Sequence, residues 1–179
     1  MKIRMLTSLL LTTLAITAAT TSLSAQADKS TRPSPPMTAT GKIGKATITI
    51  NYSSPSAKGR KIMGELVPYG KAWRAGANEA TIFETDNEIT VEGKKLPAGK
   101  YSFFAIPGEK EWSIIFNSQT GQWGIKRGGD ANYDAAANVL TATVKPRKSS
   151  AMNEKLVYEI NKSGFVLKWE NIEVPVSIK

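Results

Sequence analysis

The sequence predicts an all-β domain, an antiparallel β-sandwich of about eight or nine short strands with one long basic loop. Three observations lead to this prediction. Apolar side chains recur at every second residue in several separate segments, turn residues lie between these segments, and no segment has the 3.6-residue period of an amphipathic helix.

The first predicted strand covers residues 45–52, where one face carries Ala46, Ile48, Ile50 and Tyr52. The same alternation predicts further strands, in chain order, at residues 112–116, 140–144, 156–160, 165–169 and 172–178. Because proline cannot donate a backbone hydrogen bond, Pro175 places the last of these strands at a sheet edge.

Turn residues predict the remaining strands. Runs at residues 80–85 and 88–91 flank Asp86 and Asn87, a pair that favours a tight hairpin turn. A second turn at residues 96–99 precedes a strand over residues 101–106.

The N-terminal region is predicted to be a cleaved secretory signal peptide over residues 1–27. Lys2 and Arg4 precede an apolar stretch, and small residues at positions 24–27 offer a cleavage site. The stretch is too rich in threonine for a transmembrane anchor, so we expect an exported protein, periplasmic or secreted. Three prolines in residues 28–40 predict a flexible leader, followed by a single sandwich domain over residues 41–179.

Composition excludes several kinds of chemistry. The chain contains no histidine and no cysteine, which removes imidazole bases, thiolate nucleophiles, disulfides and the usual zinc ligands. We therefore expect neither a metal site nor a cofactor. The formal net charge of +9 favours an anionic envelope polymer or glycan, or lipid head groups, as partner over nucleic acid, which an exported protein rarely meets. Nothing in the sequence identifies a protein partner.

Two stretches, residues 53–79 and 118–138, lack any regular period, and long loops of this kind are often functional. Arginine can hold a carboxylate, sulfate or phosphate, asparagine supplies a donor and an acceptor, and tryptophan offers a stacking face. Together such side chains could bind an anionic sugar. The candidate ligand-binding residues are Arg60, Lys61, Trp73, Arg74, Asn78, Glu79 and Trp123.

A structural interpretation of the same residues is also open. In this interpretation Arg74 and Glu79 form a buried ion pair that fixes the long loop, because buried charges are usually paired. Asn78 then caps a turn, and Trp73 fills the core.

The run Trp-Arg-Ala-Gly-Ala-Asn-Glu-Ala-Thr at residues 73–81 resembles the signature of an exported bacterial family catalogued as domain of unknown function 2911. The runs at residues 56–64, 95–102 and 122–124 are similar to the same family. The likeness covers roughly residues 35–178 and implies an envelope or secreted location. It implies no activity, cofactor or catalytic residue.

Two classes of function remain open. The first is a non-catalytic binding or scaffold domain of the cell envelope, whose basic loop takes an anionic ligand. The second is a hydrolase of an envelope glycan, with Glu79 as acid or base and Asp130 or Asp134 as its partner. That chemistry requires two carboxyl groups roughly 5–9.5 Å apart.

Overall fold

The computed structural model describes residues 28–179, and the predicted signal peptide lies outside these residues. The described chain is antiparallel β structure with two single-turn 3-10 helices, Lys29–Thr31 and Ala135–Ala137, which confirms the predicted all-β class. Its ten strands are β1 (Pro36–Ile43), β2 (Ala46–Ser53), β3 (Thr81–Thr85), β4 (Ile89–Val91), β5 (Lys94–Leu96), β6 (Gly99–Ile106), β7 (Trp112–Asn117), β8 (Asn138–Val144), β9 (Arg147–Asn161) and β10 (Gly164–Ser177).

The strands form one large sheet and two antiparallel ribbons. The large sheet has six strands in the order β1-β2-β3-β6-β7-β8, whereas β9 pairs with β10 and β4 pairs with β5. The hairpin predicted between β3 and β4 is therefore wrong, because β3 pairs with β2 and β6 instead. Asp86 in the connecting turn accepts a hydrogen bond at 2.7 Å from the backbone N–H of Thr47, which ties the turn to the start of β2.

The main core lies between one face of the large sheet and the β9–β10 ribbon. Phe165 of the ribbon packs against Phe83 and Phe103 of the sheet, with ring centroids 5.9 and 5.6 Å apart. Phe103 in turn packs edge-on against Phe116 at 5.3 Å. All four rings are at most 2% exposed, so this aromatic cluster joins the ribbon to the sheet.

The opposite face of the large sheet is covered by the two irregular stretches. Because side chains alternate along a strand, Phe104 of β6 points away from the main core, where Phe103 lies. Phe104 is fully buried and stacks on Tyr133 at 4.9 Å. Ala131 of the second stretch and Ala80, which directly follows the first, belong to this smaller cluster, and Ala72 of the first stretch packs against it. Both predicted loops therefore meet on one face of the sheet.

The structure differs from the predicted flexible leader over residues 28–40. Strand β1 begins at Pro36 and pairs with β2 along its whole length. The first position of an edge strand tolerates proline, since no partner there needs its missing N–H. Residues 28–35, here called the N-terminal segment, contact the candidate site, as described below.

The two strands predicted at residues 165–169 and 172–178 form one long strand, β10. Irregularities in its pairing with β9 lie on both sides of Glu170, which has a φ of 54°. Pro175 lies after Glu173, the last residue of β10 that pairs with β9. The proline therefore removes no hydrogen bond from the ribbon.

Replacing Phe165 with Ala should lower the free energy of unfolding by roughly 3–5 kcal/mol, because it empties the contact between ribbon and sheet. Urea or guanidinium denaturation would measure this loss. Met152→Ala is the control, since Met152 is 52% exposed and its loss should change stability by less than about 0.5 kcal/mol. A loss below about 1 kcal/mol for Phe165→Ala would contradict the packing described here.

Candidate functional site

The two irregular stretches pair with each other through their backbones. Ala80 N–H donates to the Gln122 carbonyl at 3.1 Å, and Gly124 N–H donates to the Asn78 carbonyl at 3.0 Å. These bonds align residues 73–79, the Arg74 loop, with residues 121–130, the glycine-rich loop. The predicted candidates on the two stretches therefore lie side by side.

Trp73, the first residue of the Arg74 loop, is a core residue. It exchanges two backbone hydrogen bonds with Ala105 of β6, at 2.7 and 2.9 Å, and its indole N–H donates to the Gly76 carbonyl at 3.1 Å. The ring is 9% exposed, stacks on Trp169 at 5.8 Å and meets Trp112 edge-on at 6.3 Å. The predicted stacking face for a sugar is thus occupied by protein, as the structural interpretation expected.

The backbone of the Arg74 loop is fixed at Ala75. Its carbonyl accepts hydrogen bonds from the Tyr158 hydroxyl at 2.7 Å and from the Thr81 hydroxyl at 3.1 Å. Burial raises the pKa of Tyr158 well above its usual range, so this hydroxyl keeps the proton that it donates. Ala75 has a φ of 51°, a conformation that alanine rarely adopts. The two hydrogen bonds hold this strained turn.

Gly76 allows the Arg74 loop to approach β2 and β3. A Cβ atom at this position would lie 2.7 Å from the Thr81 hydroxyl and 3.2 Å from the Ser53 carbonyl. The close approach brings the backbone N–H of Ala77 to 3.2 Å from the same Ser53 carbonyl, to which it donates.

Arg74 projects from this fixed loop without a polar partner among the residues that the structure describes. Its Nε atom is buried without a hydrogen bond, and no acceptor within residues 28–179 receives a bond or an ion pair from its guanidinium. Burial lowers the pKa of this guanidinium, although an arginine in a protein keeps its proton. Arg74 therefore carries a positive charge that forms no ion pair within residues 28–179.

Gly124 of the glycine-rich loop supports the stem of Arg74. A Cβ atom at position 124 would overlap the Cβ, Cγ and Cδ atoms of the arginine. The absence of a side chain at Gly124 thus lets the stem lie flat against the loop. The contact orients the guanidinium.

Two cavities adjoin Arg74. Both are lined by Leu66, Val67, Trp73 and Arg74 itself. The larger cavity, of about 390 Å³, is completed by Pro68, Lys71, Ala72, Ile125, Gly128, Gly129 and Asp130. The smaller cavity, of about 250 Å³, is completed by Ser34, Pro55, Arg60, Gly76, Ala77 and Trp169.

Glu79 is paired with the N-terminal segment and not with Arg74. Its carboxylate accepts from Lys29 at 2.9 Å and from Arg32 at 3.0 and 3.1 Å. Burial raises the pKa of Glu79, but hydrogen bonds from Lys29, its own backbone and Arg32 outweigh burial and lower the pKa to about 2. The Arg74–Glu79 pair of the structural interpretation is therefore absent from the described structure.

Asn78 and Arg60 hold the surroundings of the smaller cavity. Asn78 has a φ of 57°, and its side-chain amide donates to the Ser34 carbonyl at 2.9 Å, so it stabilises a turn and anchors the N-terminal segment. Arg60 donates to the carbonyls of Ala57 at 3.0 Å and Ser56 at 2.8 Å. Arg60 lines the smaller cavity, and the other lining residues include no acidic side chain.

Lys61 and Trp123 lie outside both cavities. Lys61 is solvent-exposed and pairs with Glu65 at 3.4 Å, four residues along the chain. Trp123 is 47% exposed on the glycine-rich loop, where its carbonyl accepts from the Asn132 side chain at 2.9 Å. Of the candidates predicted from sequence, the structure thus brings Arg60, Trp73 and Arg74 to the cavities.

The carboxylates of the alternative hydrolase lie in different surroundings. Asp130 lines the larger Arg74 cavity, whereas Glu79 lines a separate cavity of about 200 Å³ beside β1 and β2. Asp134 caps the second 3-10 helix by accepting from the Ala136 N–H at 2.9 Å. Within residues 28–179, no cluster of three or more acidic side chains is arranged to hold a metal ion.

Sequence reasoning missed several residues of the site. The aliphatic wall formed by Leu66, Val67 and Ile125 carried no signal, because isolated apolar residues in a loop have no period. Gly124 could have been noticed as the small residue after Trp123, but the side chain that it accommodates comes from a distant segment.

These features define an all-β, antiparallel domain with an unpaired arginine between two cavities. The chain belongs to the family described as Protein of unknown function (DUF2911), whose sequence model matches residues 34–178. No curated protein and no solved structure matches the chain. In the part that the structure describes, no helix has the length and apolar character to cross a membrane.

The Glu79 ion pairs should make stability depend on acid pH. Because the pKa of Glu79 falls from its ordinary 4.5 to about 2 on folding, its stabilising contribution is complete above pH 4.5 and is lost as the pH falls toward 2. The carboxylate is 37% exposed, so screening should limit this contribution to about 1 kcal/mol. Glu79→Gln should remove this contribution. Denaturation at pH 7 and at pH 3 would measure the change in the free energy of unfolding.

The control for this experiment is Glu65→Gln, which breaks a more exposed pair with Lys61 and should change stability at pH 7 by less than about 0.5 kcal/mol. An equal loss of stability at both pH values in Glu79→Gln would contradict the linkage.

Two glycine substitutions in the same loop should differ in effect. Gly124→Ala should lower the free energy of unfolding by about 1–3 kcal/mol, since its methyl group overlaps the Arg74 stem. Gly128→Ala adds a methyl group in open space and should leave stability almost unchanged. Thermal denaturation of the two variants would test this difference, and equal melting temperatures would show that the Arg74 stem is not held by Gly124.

Proposed function

We propose that this protein is a non-catalytic binding module of the cell envelope, exported by the predicted signal peptide, and that Arg74 binds the anionic group of its ligand. One observation carries the proposal. Arg74 lines two cavities, and its guanidinium makes no hydrogen bond or ion pair within the described residues. We also propose that the fold is a β-sandwich, with the β9–β10 ribbon as the layer opposite the large sheet.

The energetics of the buried Nε–H group of Arg74 support a ligand. An unsatisfied buried donor typically costs about 1–3 kcal/mol, and more when the group is charged. A carboxylate, sulfate or phosphate that enters the cavity would satisfy Arg74 with charge-assisted hydrogen bonds, which are about twice as strong as neutral ones. The structure around Arg74 is fixed beforehand by Ala75, Gly76 and Gly124, so the ordering cost of binding is small.

Charge in the smaller cavity supports the same proposal. Arg60 and Arg74 both line it, and its other lining residues include no acidic side chain. The two guanidinium groups give this cavity a positive potential. Glu79, the acid nearest to Arg74 along the chain, is neutralised by Lys29 and Arg32.

The hydrolase alternative has less support from the geometry. A general acid needs a pKa near the working pH, whereas ion pairs hold the pKa of Glu79 at about 2. Glu79 and Asp130 also line separate cavities. An anionic glycan would have to stack on the exposed Trp123, since Trp73 is covered by Trp169.

Arg74→Met should abolish anion binding and, without ligand, should leave the protein as stable as the parent or more stable. Methionine fills a similar volume and removes a half-buried charge, together with the buried Nε–H group that has no hydrogen-bond partner within residues 28–179. Isothermal titration with inorganic phosphate, sulfate, butanoate and a sulfated disaccharide would measure binding, and thermal denaturation would measure stability.

Arg127→Met is the matched control, because Arg127 is exposed on the glycine-rich loop and lines neither Arg74 cavity. It removes the same charge from the protein and should leave binding intact. A large loss of stability in Arg74→Met, with no anion bound by the parent, would instead assign Arg74 a structural role and overturn the proposal.

A further inference from the structure

The two cavities beside Arg74 differ in chemical character. They share a wall formed by Leu66, Val67, Trp73 and Arg74, so they adjoin each other. Arg74 therefore stands where one cavity meets the other. A ligand bound to it could extend in both directions.

The smaller cavity is the better place for a negative charge. It adds Arg60 to Arg74 and contains no acidic lining residue. The larger cavity adds Lys71, but it also adds Asp130, whose carboxylate opposes a second anion. The anionic group of a ligand should therefore lie between the two arginines.

The larger cavity suits an apolar chain. Its wall carries Leu66, Val67, Pro68 and Ile125, and none of its lining residues has a hydroxyl or amide side chain. The charged side chains of the lining are Lys71, Arg74 and Asp130, and the aliphatic wall between them is the part that an apolar chain would cover. Its volume of about 390 Å³ lies within the usual range for small-molecule sites.

Leu66 offers an aliphatic contact at the entrance. It is 46% exposed although it lines both cavities. A ligand that reaches either cavity would cover part of this exposed side chain, and an aliphatic chain would gain free energy from that burial. The same side chain would gain little from a polar ligand.

We infer that the ligand is an amphipathic anion, an aliphatic chain that ends in a carboxylate or a phosphate. The head group binds between Arg60 and Arg74 in the smaller cavity, and the chain lies in the larger cavity against Leu66, Pro68 and Ile125. This inference rests on the proposed function, because it assumes that Arg74 binds an anion. It replaces the anionic glycan expected from sequence with a different chemical class.

The test is isothermal titration of the protein with a homologous series, butanoate, octanoate and dodecanoate, each below its micelle concentration. Burial of one methylene group corresponds to a gain of roughly three- to fourfold in affinity. We expect affinity to rise by about this factor per methylene until the cavity is filled. Octyl phosphate in place of octanoate identifies the preferred head group, and tighter binding of either supports the inference.

Two variants test the chain-binding part and the anion-binding part of the site separately. Leu66→Ser should reduce the gain per methylene while leaving butanoate binding unchanged, and its exposed position makes a folding defect unexpected. Arg74→Met should weaken every member of the series at least tenfold, whereas Arg127→Met should bind like the parent. Octanol, which has the chain without the charge, should bind at least tenfold more weakly than octanoate.

The outcomes separate the inference from the proposed function. If butanoate and dodecanoate bind equally well through Arg74, or if the sulfated disaccharide binds more tightly than dodecanoate, the chain site is refuted and the anion site stands. If octanol binds as tightly as octanoate, or if no anion binds, both are overturned.

Discussion

The hydrogen bond from the Tyr158 hydroxyl to the Ala75 carbonyl, at 2.7 Å, joins the candidate site to the core. Tyr158 lies on β9 and packs against Phe165 of β10, so the ribbon holds the hydroxyl in place. Thr81 at the start of β3 donates to the same carbonyl from the large sheet. One buried oxygen thus receives hydrogen bonds from both sides of the main core.

The neighbours of Ala75 take their positions from this anchor. On one side, Trp73 enters the core and Arg74 is directed to the two cavities. On the other side, Asn78 and Glu79 reach the N-terminal segment, where Glu79 accepts bonds from Lys29 and Arg32. The loop can hold a strained φ at Ala75 and a buried Nε–H group of Arg74 that has no hydrogen-bond partner among residues 28–179, because the core around them is extensive.

Arg74 forms no ion pair with Glu79, and this acid pairs with other cations instead. An acid five residues away could have neutralised the arginine, but the N-terminal segment supplies two cations to that acid at about 3 Å. Glu79 thereby stabilises the N-terminal segment, whose Ser34 lines the smaller cavity. Within the described residues, Glu79 therefore forms no ion pair with Arg74.

The sequence by itself determined the all-β class and most strand positions, because burial of alternate side chains is a local property that a period of two records. It also indicated Arg60 and Arg74 through the concentration of cations in an irregular stretch. It could not show that residues 36–40 form part of β1, or that β3 pairs with β2 instead of β4. It also could not show that Glu79 pairs with Lys29 and Arg32. Those outcomes depend on which distant segments meet, and only the tertiary structure decided them. The reason is that the free energy of an ion pair or a strand pairing depends on a partner that the local sequence does not contain.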